Sequence, residues 1–212
     1  LTRKFVGVVL PSGKTGYVPA KDVAVFYKWA KDKQELLGKP ESVRENLVSC
    51  TRRFLGVPYM WGGTSIKNVD CSGLTRSVFF ANGILLPRNA SQQARCGEEI
   101  DFLDGAGNVS WSGLLPGDLV FWGREATDSA PEKVSHVGIY IGDGEFIHSS
   151  HYVRVGSLDP ASGHYYDRKP LHVRRIVGPA GVSGTEKGPG KGGGGLFPKP
   201  RYFSGILEVR GR

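Results

Sequence analysis

Val57-Pro-Tyr-Met-Trp-Gly-Gly-Thr-Ser-Ile-Lys-Asn-Val-Asp-Cys-Ser-Gly-Leu74 is the stretch that decides how this chain is read. A glycine-rich loop runs into Asp70-Cys-Ser-Gly73, and apolar residues then recur at Leu74, Val78 and Ala81 before Gly83. That spacing predicts a helix over 71–82 with Asp70 as its N-cap and Cys71 in its first turn. The first backbone N–H groups of a helix have no partner inside it, and the helix dipole favours an anion there. A thiolate is the reactive form of cysteine, and helix N-termini lower its pKa. The same N–H groups are placed to hold the oxyanion of an acyl-transfer intermediate.

A nucleophilic cysteine needs a base. His136 precedes Val137-Gly-Ile-Tyr-Ile141, and His148 closes Glu145-Phe-Ile-His148, with Gly142-Asp-Gly144 between the two strands. If all of Gly142, Asp143 and Gly144 form the loop, Gly138 faces His148, and the two imidazoles lie diagonally on one face. If Asp143-Gly144 alone make a tight turn, His148 faces Ile139 and points away from His136, unless a bulge restores the phase. The three-residue loop is the expectation. An anion at Asp70 raises the pKa of Cys71, so the helix terminus and His136 are expected to outweigh it and hold the sulfur ionised.

Outward from this pair, Ser42-Val-Arg-Glu45 has capping-box spacing, and Val43, Leu47, Cys50 and Phe54 form one stripe. A helix over 40–56 is predicted, stopped by Gly56 and Pro58. From residue 115 the pattern turns to strands, at 119–122, 137–141, 145–148, 153–155 and 171–177. Helices first and antiparallel strands second imply an α+β domain. Before it, Lys4–Leu10 and Gly16–Pro19 read as a hairpin too short to bury a core alone. After it, residues 179–200 are rich in Gly, Pro and Lys and read as a linker, with one short strand expected in 201–212.

The whole chain has 212 residues and a formal charge of +8, with 39% apolar and 23% charged residues. Such a composition is globular and not disordered. Residues 184–212 hold six basic and two acidic side chains, half of the net charge, and read as a solvated tail. No nucleic-acid motif accompanies the charge, and no apolar run approaches the ~20 residues of a membrane helix. No export signal is visible, and Leu1 reads as the inside of a strand, as in a processed or truncated chain. Three cysteines exclude a disulfide scaffold, although a Cys50–Cys96 bridge stays compatible with the sequence. Cys50 reads as core and Cys96 as structural. His151, His164 and His172 have no matched partner in the pattern. No Cys/His pair near Cys71 has zinc-ligand spacing, and Gly62-Gly63 lacks the Lys-Ser/Thr of a phosphate loop. Neither metal nor cofactor is expected.

Tyr59-x-Trp-Gly-Gly, Asp70-Cys-Ser-Gly, Pro116-Gly-Asp-Leu-Val-Phe, His136-Val-Gly-Ile-Tyr-Ile-Gly and Phe146-Ile-His148 together resemble the NlpC-type cysteine peptidases. These are papain-like enzymes that cut bacterial cell-wall peptides. The resemblance covers roughly residues 42–178. It implies Cys71 as nucleophile, His136 as general base, His148 as the residue that orients that base, and Tyr59 beside the nucleophile. Val9-Leu-Pro-Ser-Gly-Lys-Thr-Gly-Tyr-Val, with Asp22-Val and Trp29, looks like the end of a bacterial SH3-like domain. Such domains precede the catalytic domain in a branch that cleaves between γ-D-glutamate and a diamino acid. By that resemblance Asp70 helps hold the substrate amine, and Ser72 and Ser91 line the site.

The expected organisation is therefore a partial SH3-like segment over 1–30, an α+β, papain-like catalytic domain over 31–178, and a linker with basic tail over 179–212. The expected activity is hydrolysis of peptidoglycan peptides, by a monomer in the bacterial cell envelope. Two other classes compete with it. One is an acyltransferase on the same Cys–His site, and the other is a non-catalytic wall-binding module.

Overall fold

The computed structural model describes residues 4–9, 13–23, 32, 35–179 and 181–182, and the backbone of 207–208. The Pro11 turn, Trp29 and nearly all of the Gly/Pro/Lys-rich tail lie outside the described residues. Near the N-terminus, β1 (Phe5–Val9) and β2 (Thr15–Pro19) pair antiparallel, as the hairpin reading expects.

Helix α1 (Pro40–Arg52) starts at residue 40 as predicted, with the Ser42 capping-box spacing falling inside its first turn. Pro40 has no N–H to satisfy and its fixed φ suits the first helical turn, so Lys39 becomes the N-cap without a side-chain bond. The helix ends short of residue 56. Phe54 and Leu55 donate their N–H groups to residues three back, and Gly56, at φ 83°, bonds onward to the Val153 carbonyl. The buried stripe is Val43, Leu47 and Thr51, with Cys50 and Phe54 half-buried beside it.

The chain then makes a small antiparallel ribbon of β3 (Thr64–Ser65) and β4 (Asn68–Val69), and enters α2 (Cys71–Ala81). Leu74, Val78 and Phe79 carry its buried face, with Phe79 in the place expected for Ala81. After β5 (Ile84–Leu85) comes the short helix α3 (Ala90–Gln93). Strand Leu207–Glu208 pairs parallel to β5.

The sheet is built from β6 (Glu98–Glu99), β7 (Leu119–Arg124), β8 (Lys133–Gly142), β9 (Glu145–Ser150), β10 (Tyr152–Ser157) and β11 (His172–Arg175). Its order is β10-β9-β8-β7-β11-β6, and every neighbouring pair is antiparallel. Alternation sorts its side chains into two cores. Leu119, Phe121, Val137, Ile139 and Ile147 meet Leu47, Leu74, Val78 and Phe79 of the helices. Val120, Trp122, Tyr140, Phe146 and Val173 are covered instead by Phe102, Leu114 and Leu158 from connecting segments. The helices thus sit on one face only, which is the α+β arrangement expected from the chain order. Asp118, from the Pro-Gly-Asp motif, locks the start of β7 to β11 by accepting from Arg175 at 3.0 and 2.7 Å.

Where α2 begins, two glycines let backbones touch. A Cβ on Gly73 would lie 2.0 Å from the carbonyl oxygen of Gly63, and one on Gly63 would lie 2.8 Å from that of Asn68. Gly73→Ala is therefore expected to lower stability by about 1–3 kcal/mol despite the better helix propensity of alanine. Gly105, with open space around it, tolerates the same change within about 0.5 kcal/mol. Urea unfolding of both variants checks this, and equal midpoints would contradict it.

Candidate active site

Asp70 is the N-cap of α2 and accepts the Gly73 N–H at 2.7 Å. Its second oxygen accepts the Gly62 N–H at 2.8 Å, which ties the Gly62-Gly63 turn to the helix start. Arg88 closes the arrangement with bonds to both carboxylate oxygens, at 3.0 and 2.5 Å, and a third to Ser72 Oγ at 3.0 Å. Burial opposes ionisation of Asp70, but the bonds from Arg88, Gly73 and Gly62 outweigh it and hold its carboxyl below the usual range. With Ser72 Oγ also donating, the lone-pair positions of this carboxylate are filled, so an incoming amine would have to displace a donor.

Cys71 follows, 8% exposed. Burial first and the Asp70 charge second raise its thiol above the ordinary value, against N–H groups of Val137, Ser72 and Cys71 itself. This corrects the expectation of a sulfur held ionised at rest: the partial charges of the helix terminus do not offset desolvation and a neighbouring carboxylate. None of the three cysteines is in a disulfide, so Cys50 and Cys96 are not bridged.

Strand β8 reaches Cys71 through the Val137 N–H, and the residue before Val137 is His136. The β8–β9 hairpin resolves the question of phase. Gly142 pairs with Glu145, so the connection is the two-residue turn Asp143-Gly144, with φ 52° and 77°. The expected three-residue loop is not formed. A register shift between Tyr140 and Gly142 adds one residue to β8 and places Gly138 opposite His148 all the same. His136 and His148 therefore share a face, and His136 Nε2 lies 2.7 Å from His148 Nδ1. Gly138 supplies the room, since a Cβ there would meet Phe146 at 2.9 Å and His148 at 3.3 Å.

Aromatic rings shield the imidazoles. Trp122 and Tyr166 lie 5.7 and 6.0 Å from His136, and Phe146 and Tyr166 lie 5.2 and 5.0 Å from His148, centroid to centroid. Burial, then the charges of Arg168 and Arg154, push His136 down to about 4. Burial, then His136 and Arg154, push His148 down to about 3. Both rings are neutral at neutral pH, so one proton lies between them. When His136 donates it from Nε2 to His148 Nδ1, His136 Nδ1 is left as a free acceptor. This is the tautomer that can take a thiol proton.

Of the other residues singled out in the sequence, Tyr59 is half-buried and close enough for the Cys71, Asp70 and Arg88 charges to act on it. Ser72 is buried and held by Arg88. Ser91 is exposed on α3 and, among the described residues, bonds to none of the others. His151 is exposed, and its carbonyl accepts the Tyr59 N–H. His172 is not without partners as expected: its ring sits between Glu99 at 3.0 Å and Glu132 at 2.8 Å.

Besides Tyr166, two polar site residues were invisible in the pattern. Arg88 is a single cation in a connection, legible only through the need of a buried carboxylate for a counter-charge. Gln93 is fully buried and bonds Thr75 Oγ1 at 2.7 Å, the Ser72 carbonyl at 3.1 Å and the Pro87 carbonyl at 2.9 Å, so it pins the segment bearing Arg88 to the first turn of α2.

A resting thiol beside a neutral imidazole has a signature. Alkylation of Cys71 by iodoacetamide, followed by peptide mass spectrometry, is expected to accelerate steadily with pH and to show no plateau up to the ordinary thiol value of 9.0. A fast plateau already present at pH 6 would show a preformed thiolate–imidazolium pair instead.

The model of the NlpC/P60 family matches residues 56–175, the span that contains every element of this site. A γ-D-glutamyl-L-lysine dipeptidyl-peptidase of Bacillus cereus is 33% identical over 170 residues, covering 80% of this chain and 45% of that protein. The Bacillus subtilis protein of the same name is 32% identical over 139 residues, covering 66% of this chain and 43% of its own length. The chain thus spans less than half the length of these curated relatives. A crystal structure of an NlpC/P60 family protein from Bacillus cereus superposes with a TM-score of 0.60 at 26% identity, over 84% of this chain and 52% of that one. With the α+β architecture, the helix-borne cysteine and the paired imidazoles in the same span, the chain belongs to the NlpC/P60 family of cysteine peptidases.

Proposed function

We propose that this chain hydrolyses peptidoglycan peptides at the bond between γ-D-glutamate and a diamino acid, with Cys71 as nucleophile. The observation that carries the reading is the 2.7 Å contact of His136 with His148 on the strand whose next N–H binds the Cys71 sulfur. The relatives named as γ-D-glutamyl-L-lysine peptidases support the choice of bond.

His136 Nδ1 takes the thiol proton as Cys71 Sγ attacks the γ-carbonyl carbon. The imidazolium so formed is held by its Nε2–H bond to His148 Nδ1. Backbone N–H of Cys71 faces the developing oxyanion, with Tyr59 beside it. When the tetrahedral centre collapses, the C–N bond breaks and His136 returns its proton to the leaving amine. Water, deprotonated by the same imidazole, then cleaves the thioester and restores the thiol. The acyl part of the substrate lies against Tyr59, Asp70 and Ser72, with Ser91 at the mouth of the site. Nothing in this sequence of steps calls for a metal or a cofactor.

The substrate class places the protein at the bacterial cell envelope, on its periplasmic or outer side. Among the described residues no helix is long and apolar enough to cross a membrane. We assign β1 and β2 to the partial SH3-like segment over 1–30, residues 31–178 to the catalytic domain, and 179–212 to the linker and tail. The catalytic unit acts as a monomer in this reading.

Mass spectrometry of defined muropeptides tests it. The parent is expected to release L-Ala-γ-D-Glu, Cys71→Ala to release none, and His136→Ala to be slower by about 10²–10⁴-fold. Cleavage by Cys71→Ala at the parent rate would overturn the assignment. Wall binding without any cleavage by the parent would favour a binding module.

A further inference from the structure

Two guanidinium groups flank the imidazoles and have no part in the chemistry described above. Arg154 lies directly opposite His148 in the β9–β10 register, so its side chain leaves the sheet on the same face. It is half-buried, with its guanidinium carbon 5.9 Å from the Tyr152 ring centroid. Arg168 is exposed, 6.0 Å above the ring of Tyr166, the same ring that stands 5.0 Å from His148 and 6.0 Å from His136. The segment carrying Arg168 is fixed from below, because Trp122 Nε1 donates to the Arg168 carbonyl at 3.1 Å.

The charges of the site fall into two groups. Arg88 is spent on Asp70, and that pair acts on Tyr59. Arg154 and Arg168 act on His136 and Tyr166 instead. Among the described residues the ion pairs to carboxylates use Arg88, His172, Arg174 and Arg175, and none uses Arg154 or Arg168. Two cations without counter-charge beside a general base weaken that base, which is a cost unless an anion arrives with the substrate. The imidazole that protonates a leaving amine faces the leaving side of the scissile bond, so the residue released passes along these cations.

We propose that Arg154 and Arg168 form a carboxylate-binding subsite for the leaving diamino acid. The proposal rests on the peptidase reading given above. The guanidinium fork is suited to a planar carboxylate, and the tyrosine faces beneath hold both forks in place. The carboxylate can be the α-carboxylate of a C-terminal diamino acid or the side-chain carboxylate of diaminopimelate. In either case its charge offsets the two arginines and returns basicity to His136 as substrate binds.

The test compares kcat/KM of the parent, Arg154→Gln, Arg168→Gln and the double variant on four peptides. Each begins L-Ala-γ-D-Glu, and they end in L-lysine, L-lysine amide, diaminopimelate, or diaminopimelate with its α-carboxylate amidated. The double variant is expected to lose about 10- to 100-fold on substrates that offer the recognised carboxylate and less than about threefold on lysine amide. Loss on the lysine peptide and on unamidated diaminopimelate, but not on either α-amidated peptide, identifies the α-carboxylate, and loss on both diaminopimelate peptides alone identifies the side-chain carboxylate. Arg→Lys at either position is expected to restore part of the loss, which a packing defect would not allow. An equal loss on all four peptides, or no loss on any, would overturn the subsite while leaving the peptidase reading intact. A parent that cleaves none of the four would overturn that reading and the subsite with it.

Discussion

One buried carboxylate organises the site. Asp70 caps α2, fastens the Gly62-Gly63 turn and receives both arms of Arg88, so three separate chain segments meet on two oxygen atoms. The helix start cannot move without breaking a charge-assisted bond in a place with little water to replace it. Gln93 repeats the pattern one layer deeper, with neutral groups. The close approach of Gly73 to the Gly63 carbonyl is possible only because the position carries no Cβ. Cys71 sits at the centre of this clamp, and its position follows from the capping chemistry of its neighbours more than from any contact of its own.

That clamp has an electrostatic consequence. It sets an anion beside a sulfur that is already poorly hydrated, and the thiol stays protonated at rest. The aromatic wall around His136 and His148 does the same to the imidazoles by disfavouring their cations. Cysteine and histidine are thus both neutral, and in the proposed reaction the proton moves between them when a carbonyl is presented. Separated charge then develops in a low-dielectric setting where fixed N–H groups and His148 are already oriented to receive it. The cations at Arg154 and Arg168 deepen the resting neutrality of the base, and a substrate carboxylate would relieve it.

Much of this was legible in the sequence. The helix after Asp70, its N-cap and the place of Cys71 follow from local spacing, because capping is decided within a few residues. The strands of the sheet follow from alternation, and the shared face of the histidines from counting across the hairpin. The count reached the right face by the wrong loop. Asp143-Gly144 makes the tight turn, and the extra residue is taken up between Tyr140 and Gly142, within the strand and not in the loop. The start of α1 at residue 40 was read correctly, whereas its end was placed too late, because Phe54 and Leu55 bond to residues three back before Gly56 turns the chain away. Arg88, Gln93 and Tyr166 were missed for a different reason: each acts across a long sequence separation, with no periodicity to mark it. The same holds for His172, whose two carboxylate partners come from β6 and from the connection before β8.

The central claim is that the Cys71 sulfur performs the bond cleavage. It is tested most directly by blocking that sulfur in graded steps with methyl methanethiosulfonate, and measuring muropeptide hydrolysis against the fraction of Cys71 modified, read by peptide mass spectrometry. The account predicts a straight line that reaches zero activity at complete Cys71 modification, with full recovery in dithiothreitol. Hydrolysis that persists when every Cys71 is blocked, or that follows the modification of Cys50, would contradict it.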